Sequence, residues 1–199
     1  MKQDKVVLSL ALLLAVLCWA NAAEAQNPTA IQRMQLSTFA GTSGVFTGLS
    51  GGKNLSFTAG VDLALPPFRQ VVRPTLEVRG TYPMDGGTIT SQKSIMGGLR
   101  ADFLLGHRIH PYGDFFFGRG ESHYGNGYFF GNFEYILTTT YVYSPGAGFD
   151  YDLGSHFGVK VDGQFQKWGS APTPSGNIYS KVGTVGLVYR FDFNRHGIR

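Results

Sequence analysis

Cysteine is almost missing from this chain: of 199 residues only Cys18 carries a thiol, so no intramolecular disulfide can form. Charge is sparse, with 15% of residues charged, 17 of them basic and 13 acidic, for a formal net charge of +4. That excess is mild and scattered, unlike the clustered basic face of a nucleic-acid-binding domain, so no nucleic-acid partner is expected. Beyond the N-terminus there is no long apolar run, which removes any spanning helix of about 20 apolar residues from the body of the chain. Also absent are a His-Glu-x-x-His zinc motif, a Gly-Lys-Ser/Thr phosphate loop and a Gly-x-Ser-x-Gly nucleophile elbow. His107 and His110 lie three apart across a short turn with no third ligand at a convincing spacing, and read as exposed turn residues. No catalytic residue, metal or cofactor is expected.

The N-terminus has the pattern of an export signal. Lys2 and Lys5 precede the apolar run Val6 to Ala20, and Ala23-Glu24-Ala25 supplies the small-x-small motif of a signal-peptidase site. The run is too short for a spanning helix and contains Ser9. Cys18 follows Leu17, whereas a lipidated cysteine normally follows a small residue, so cleavage after Ala25 is the reading. Residues 1–25 are then the signal peptide and residues 26–199 one exported domain, a length that suits one folding unit.

Glycine (28 residues), tyrosine (10) and phenylalanine (16) dominate what remains. Glycine alone would suit disorder, but disordered chains are poor in aromatics, so a folded all-β domain is expected. Alternation supports this. From Phe157 to Gln166 one parity carries Phe157, Val159, Val161 and Phe165, and the other Lys160, Asp162, Gln164 and Gln166. A strand of period two sends these to opposite faces. The same split runs through Val72 to Tyr82 and through Val185 to Phe193. It is weaker in Leu55 to Leu65 and Ile95 to Leu105, while Ile109 to Phe117 and Tyr141 to Tyr151 complete the clear segments. An eighth strand near Gln35 to Thr42 has no readable parity and is inferred from the even strand number of such barrels.

The connections are expected to alternate, long on the outside (Gly44–Asn54, Pro83–Ser91, Arg119–Leu137, Gly169–Ser180) and short on the inside (around Pro66-Pro67, Gly106–Arg108 and Leu153–Ser155). Tyr82 and Trp168 should flank the outer rim, and Phe68, Tyr151 and Phe193 the inner one, as aromatic girdles. A soluble barrel would carry charge along whole outer faces. Here one or two charges per strand face the other parity, so the apolar face meets lipid and the polar face an interior too narrow at eight strands for a wide channel. Asp62, Arg73, Glu77, Arg79, Arg100, Asp102, Asp114, Asp150, Lys160, Asp162, Arg190 and Asp192 are then a mixed-sign lumen network, structural in role. Arg100 should reach Glu77 on one neighbouring strand or Asp114 on the other.

Pro111-Tyr112-Gly113-Asp114-Phe115-Phe116-Phe117-Gly118, Gly146-Ala147-Gly148-Phe149-Asp150-Tyr151-Asp152-Leu153 and the closing Gly186-Leu187-Val188-Tyr189-Arg190-Phe191 resemble the outer-membrane β-barrel domains of the OmpA-like superfamily. The resemblance implies an eight-stranded antiparallel up-and-down transmembrane β-barrel in the cell outer membrane, surrounded by outer-membrane lipid and inserted by the barrel-assembly machinery. Such barrels usually end in an aromatic residue, whereas this chain continues from Asp192 to Arg199. Either Phe191 or Phe193 takes that role internally or another signal does. Nothing after Phe193 is long enough to fold as a cell-wall-binding domain.

The resulting expectation is a non-enzymatic envelope protein, structural or adhesion-like, whose extracellular partner is set by its outer loops. Tyr124, Tyr128, Phe129, Phe130, Phe133 and Tyr135 on the long Gly-rich loop are the candidate surface-binding residues. Two other classes compete. A lipid-A-modifying enzyme would draw on Glu121, Ser122 and His123, though adjacent residues cannot all converge on one reacting atom; a narrow pore would use the lumen charges.

Overall fold

In the computed structural model, residues 34–49, 52–68, 71–85, 90–104, 108–169 and 173–191 are described; the proposed signal peptide, His107, Asp192 and Phe193 lie outside them. Eight strands follow one another: β1 Gln35–Phe46, β2 Lys53–Ala64, β3 Val72–Pro83, β4 Thr90–Phe103, β5 Ile109–Phe130, β6 Phe133–Asp152, β7 Phe157–Gly169 and β8 Asn177–Arg190. Each pairs antiparallel with its successor, and β1 closes on β8 from Ser37↔Arg190 to Phe46↔Lys181, so no sheet edge is left along the wall. The shortest strands have 12 residues, enough for the 9–11 tilted residues that cross a hydrocarbon core.

Side-chain parity decides which way the wall faces. On β7, Lys160, Asp162, Gln164 and Gln166 are buried in the lumen while Phe157 and Phe165 are exposed; on β8, Val185 and Leu187 are exposed against buried Thr184. The sequence-derived faces of β2, β3 and β4 hold likewise. The exterior is therefore apolar, carrying Val78, Ile95, Leu99, Phe115, Val185 and Leu187, and the buried interior is largely polar and charged. In β1, whose parity was unreadable, Ser37, Phe39, Ser43 and Val45 face inward.

Two expectations about the connections fail. The outer connections span 47–52, 84–89, 131–132 and 170–176, the inner ones 65–71, 104–108 and 153–156, so length does not separate the two ends. The segment Arg119–Leu137 is not a loop. β5 and β6 run on as a two-stranded ribbon past the last β4 partner (Thr90↔Tyr124) and the last β7 partner (Val142↔Trp168), to a turn at Gly131-Asn132. Register shifts between His123 and Tyr128, and Gly127 and Gly131 take positive φ of 73° and 61°, a backbone that favours glycine. Both ends of the barrel proper, Gln35 and Arg190, lie opposite this ribbon, which makes theirs the inner, periplasmic end.

Candidate functional site: the filled lumen and the projecting ribbon

The lumen is filled in layers. At its inner half three cations sit among five carboxylates. Arg100 is the hub: its guanidinium reaches Asp102 at 2.6 Å, Asp150 at 3.1 Å, and Glu77 and Asp62 at 3.4 Å. Arg79 bridges Glu77 (2.5 Å) and Asp162 (2.6 Å), and Lys160 reaches Glu77 (2.8 Å) and Asp62 (3.4 Å). Lys160 has no exposed surface, Arg79 2% and Arg100 6%. Buried cations need this many partners because an unpaired charge in a low-dielectric interior costs several kcal/mol.

Aromatic faces supply the rest. The Lys160 Nζ lies 3.8 Å from the centroid of Phe39, Arg79 lies 4.4 Å from Phe116, and Arg100 lies 4.5 Å from Tyr112. Phe39 was not singled out in the sequence and Tyr112 only as a member of the Pro111–Gly118 segment, yet both belong to the network as cation–π partners. Gly60 makes room for one of them, since a Cβ there would run into the Phe39 ring.

Arg73 and Arg190 sit at the inner mouth. They line an open polar cavity of about 390 Å³ with Arg100, Asp102, Asp150 and Asp152. Arg190 pairs with Asp152 at 2.5 Å and Arg73 donates to Gln35 at 3.5 Å. His110 is a strand residue rather than an exposed turn residue; its Nε2 lies 3.1 Å from Asp152. Asp152 and His110 share the inward parity of Asp150 and Tyr112, the signal that would have found them. Asp114 does not contact Arg100 but accepts from Gln164 at 2.9 Å.

Above the charges, Thr184, Ser43, Thr58 and Thr81 form a hydroxyl chain across β8, β1, β2 and β3 with steps of 2.6–2.9 Å. Toward the outer end, Leu49, Met96, Phe116, Tyr124, Val142, Trp168 and Ile178 pack as one buried cluster beside the hydrogen-bonded Thr47, Gln92, Ser122 and Ser180. Two expectations are corrected here. Trp168 is 1% exposed and points inward rather than flanking the rim, because Gly120 leaves the space that its ring occupies. Tyr124 is 2% exposed on the same inward parity as Phe116, so it plugs the lumen and offers nothing to a surface partner. Tyr135 is half-buried against the same cluster.

Of the other ribbon residues, Phe129 and Phe133 are 70% and 71% exposed, joined by Ile136 and Leu137. Tyr128 pairs with Tyr135, and Phe130 with Phe133, across the ribbon. Glu121, Ser122 and His123 do not converge: Ser122 faces the lumen beside Gln92, while Glu121, paired to Lys93 at 2.7 Å, and His123 face outward.

An apolar wall without edges around a paired, buried set of charges defines a transmembrane β-barrel, and barrels of this construction are outer-membrane proteins, where this chain resides. The solved structure of Neisserial surface protein A is similar in fold at 14% identity and a TM-score of 0.52, over 79% of this chain and 97% of that one. Ail, the attachment invasion locus protein of Yersinia pestis, solved in complex with the heparin analogue sucrose octasulfate, aligns over 79% of this chain and 97% of its own at 14% identity and a TM-score of 0.49. The outer membrane enzyme PagL aligns over 80% and 99% at 15% identity and a TM-score of 0.41. No family model and no curated protein matches the sequence.

Proposed function

We propose that this chain is a non-enzymatic outer-membrane protein whose barrel is a support for the β5–β6 ribbon, a surface-interaction element of adhesion-like character. The observation that carries the reading is the ribbon itself: it extends β5 to 22 and β6 to 20 residues, beyond any need of membrane crossing, and presents Phe129, Phe133, Ile136 and Leu137 to solvent. Aromatic side chains held out on a projecting two-stranded arm are ordinary anchors of a protein contact.

The filled lumen favours this over a pore, and the opposed faces of Ser122 and His123 favour it over hydrolysis by that trio. Export through cleavage after Ala25 and insertion by the barrel-assembly machinery complete the reading; N-terminal sequencing of the outer-membrane form should begin at Gln26. Cells displaying the intact barrel are compared with cells whose ribbon is trimmed to a short turn, for attachment to immobilised extracellular-matrix proteins and to epithelial monolayers. Attachment should fall with the trimmed form while heat-modifiable gel migration is retained. Equal attachment by both forms would overturn the role of the ribbon, and altered lipid A in cells carrying the gene would bring back the enzyme reading.

A further inference from the structure

The outward-facing cations are distributed unevenly. Lys53, Arg119, Lys167 and Lys181 all face away from the lumen; Lys53, Lys167 and Lys181 lie near the outer ends of their strands, Lys53 and Lys181 both opposite Phe46 and Lys167 opposite Tyr143 and Tyr179, while Arg119 lies midway along the extended β5, opposite Ile95 and Tyr141. Outward positions on the inner half of the wall, such as Leu63, Leu76, Phe103, Phe149 and Leu187, carry no charge. The lumen cations Arg79, Arg100 and Lys160 each have carboxylate partners, whereas no carboxylate among the described residues pairs with Lys53, Arg119, Lys167 or Lys181. Unpaired cations along the outer half of the wall are placed to meet anionic headgroups there.

At one place this belt borders a groove. On the outer face of β2 to β5, a shallow and mostly apolar depression of about 470 Å³ is floored by Ala59 and Gly80, which are cross-strand partners, and walled by Phe57, Tyr82 and Ile95. Its polar end is formed by Lys93, Arg119 and Glu121. Lys93 is committed to Glu121, but Arg119 is free of carboxylates and stacks on Tyr141 at 5.4 Å, which fixes its guanidinium at the rim. The small floor residues leave the width of a hydrocarbon chain. A Cβ at Gly80 would meet only the Ser94 carbonyl oxygen at 3.8 Å, so the floor is not small for want of room in the wall.

We propose that this groove binds one molecule of the phosphorylated, acylated glycolipid of the outer leaflet. An acyl chain lies along Ala59 and Gly80, and a phosphate oxygen accepts from the Arg119 guanidinium, which matches a phosphate bidentately. The glycolipid is favoured over an ordinary phospholipid because the groove and its Arg119 lie on the outer half of the wall.

The purified, folded barrel in non-ionic detergent is titrated with bisphosphorylated lipid A, with the same lipid stripped of phosphate, and with phosphatidylglycerol, and bound lipid is counted by native mass spectrometry. One bisphosphorylated lipid A per barrel should be retained, with Arg119→Ser lowering its affinity about tenfold, the loss expected for one charge-assisted contact. Gly80→Leu should fill the floor and lower it comparably, while Lys181→Ser, which removes equal charge away from the groove, should leave it unchanged. Heat-modifiable migration reports that each variant is folded. Equal losses in Arg119→Ser and Lys181→Ser mean a diffuse charge belt and overturn the site. Equal binding of phosphatidylglycerol overturns the glycolipid assignment, and unaltered binding by Gly80→Leu overturns the acyl groove.

Discussion

Lys160→Met tests whether the lumen network is held as a unit. Methionine nearly conserves the volume, so the change removes charge rather than packing. Glu77 keeps Arg79 at 2.5 Å, but Asp62 is left with Arg100 at 3.4 Å as its only cation, and five carboxylates face two cations where they faced three. Breaking one partner out of a buried pair costs about 3–5 kcal/mol, and full burial of Lys160 places this variant in that range. Asp62→Asn alone removes one member of the carboxylate excess and strands no cation, because Lys160 keeps Glu77 at 2.8 Å and Arg100 keeps Asp102 and Asp150, so it should change stability by less than about 1 kcal/mol. Combined, the two should be less destabilising than their sum by about 2 kcal/mol, within the coupling seen for residues of one charge network. Urea unfolding in phosphatidylcholine vesicles, followed by the fluorescence of Trp168, gives all four stabilities; in a chain beginning at Gln26 that tryptophan is the only one. A neutral Lys160→Met would mean that water solvates this position, and strict additivity would mean that Lys160 and Asp62 do not share their field. Either result refutes the reasoning.

Two further outcomes follow from the wall. Val185→Arg, outward and mid-strand at 55% exposure, should lose about 2–4 kcal/mol of folding free energy in the same vesicles if lipid covers it near the midplane; an unchanged transition would place the position outside the hydrocarbon. Gly120→Val should collide with the Trp168 ring and the Val142 side chain, shifting the tryptophan emission and costing about 1–3 kcal/mol; identical spectra would mean the ring does not occupy that space.

The facing of β2, β3, β4, β7 and β8 was legible because a single lysine, arginine or aspartate on one parity against valine and phenylalanine on the other is decisive at period two, whereas the count of eight needed the even strand number of such barrels. β1 was not, because it buries Phe39 as a cation partner and turns Thr38, Ala40 and Thr42 outward, which mixes the two signals. The ribbon was hidden by composition: Gly125, Gly127, Gly131 and Asn132 read as loop residues, and its pairing is visible only once β5 and β6 are side by side. Parity put these charges on the inward face and Glu77 within reach of Arg100, but it could not give the contacts made across the interior. Arg100 finds Asp150, fifty residues on, across the interior rather than on a neighbouring strand. Trp168 was misplaced for the same reason, since the cavity it fills is made by a glycine on β5.

The layout of the ionic layer also constrains how the molecule is made. Asp62 and Glu77 arrive with β2 and β3, but Lys160 comes on β7, 98 and 83 positions later. Until that strand is delivered, Asp62 and Glu77 have only Arg79 and Arg100 as cations, and a five- or six-stranded sheet exposes them toward its open side. A partly assembled wall therefore has no favourable resting state inside hydrocarbon. Closure becomes the step at which charge, hydrogen bonding and lipid exclusion are satisfied together, so the barrel tends to be either absent from the bilayer or complete.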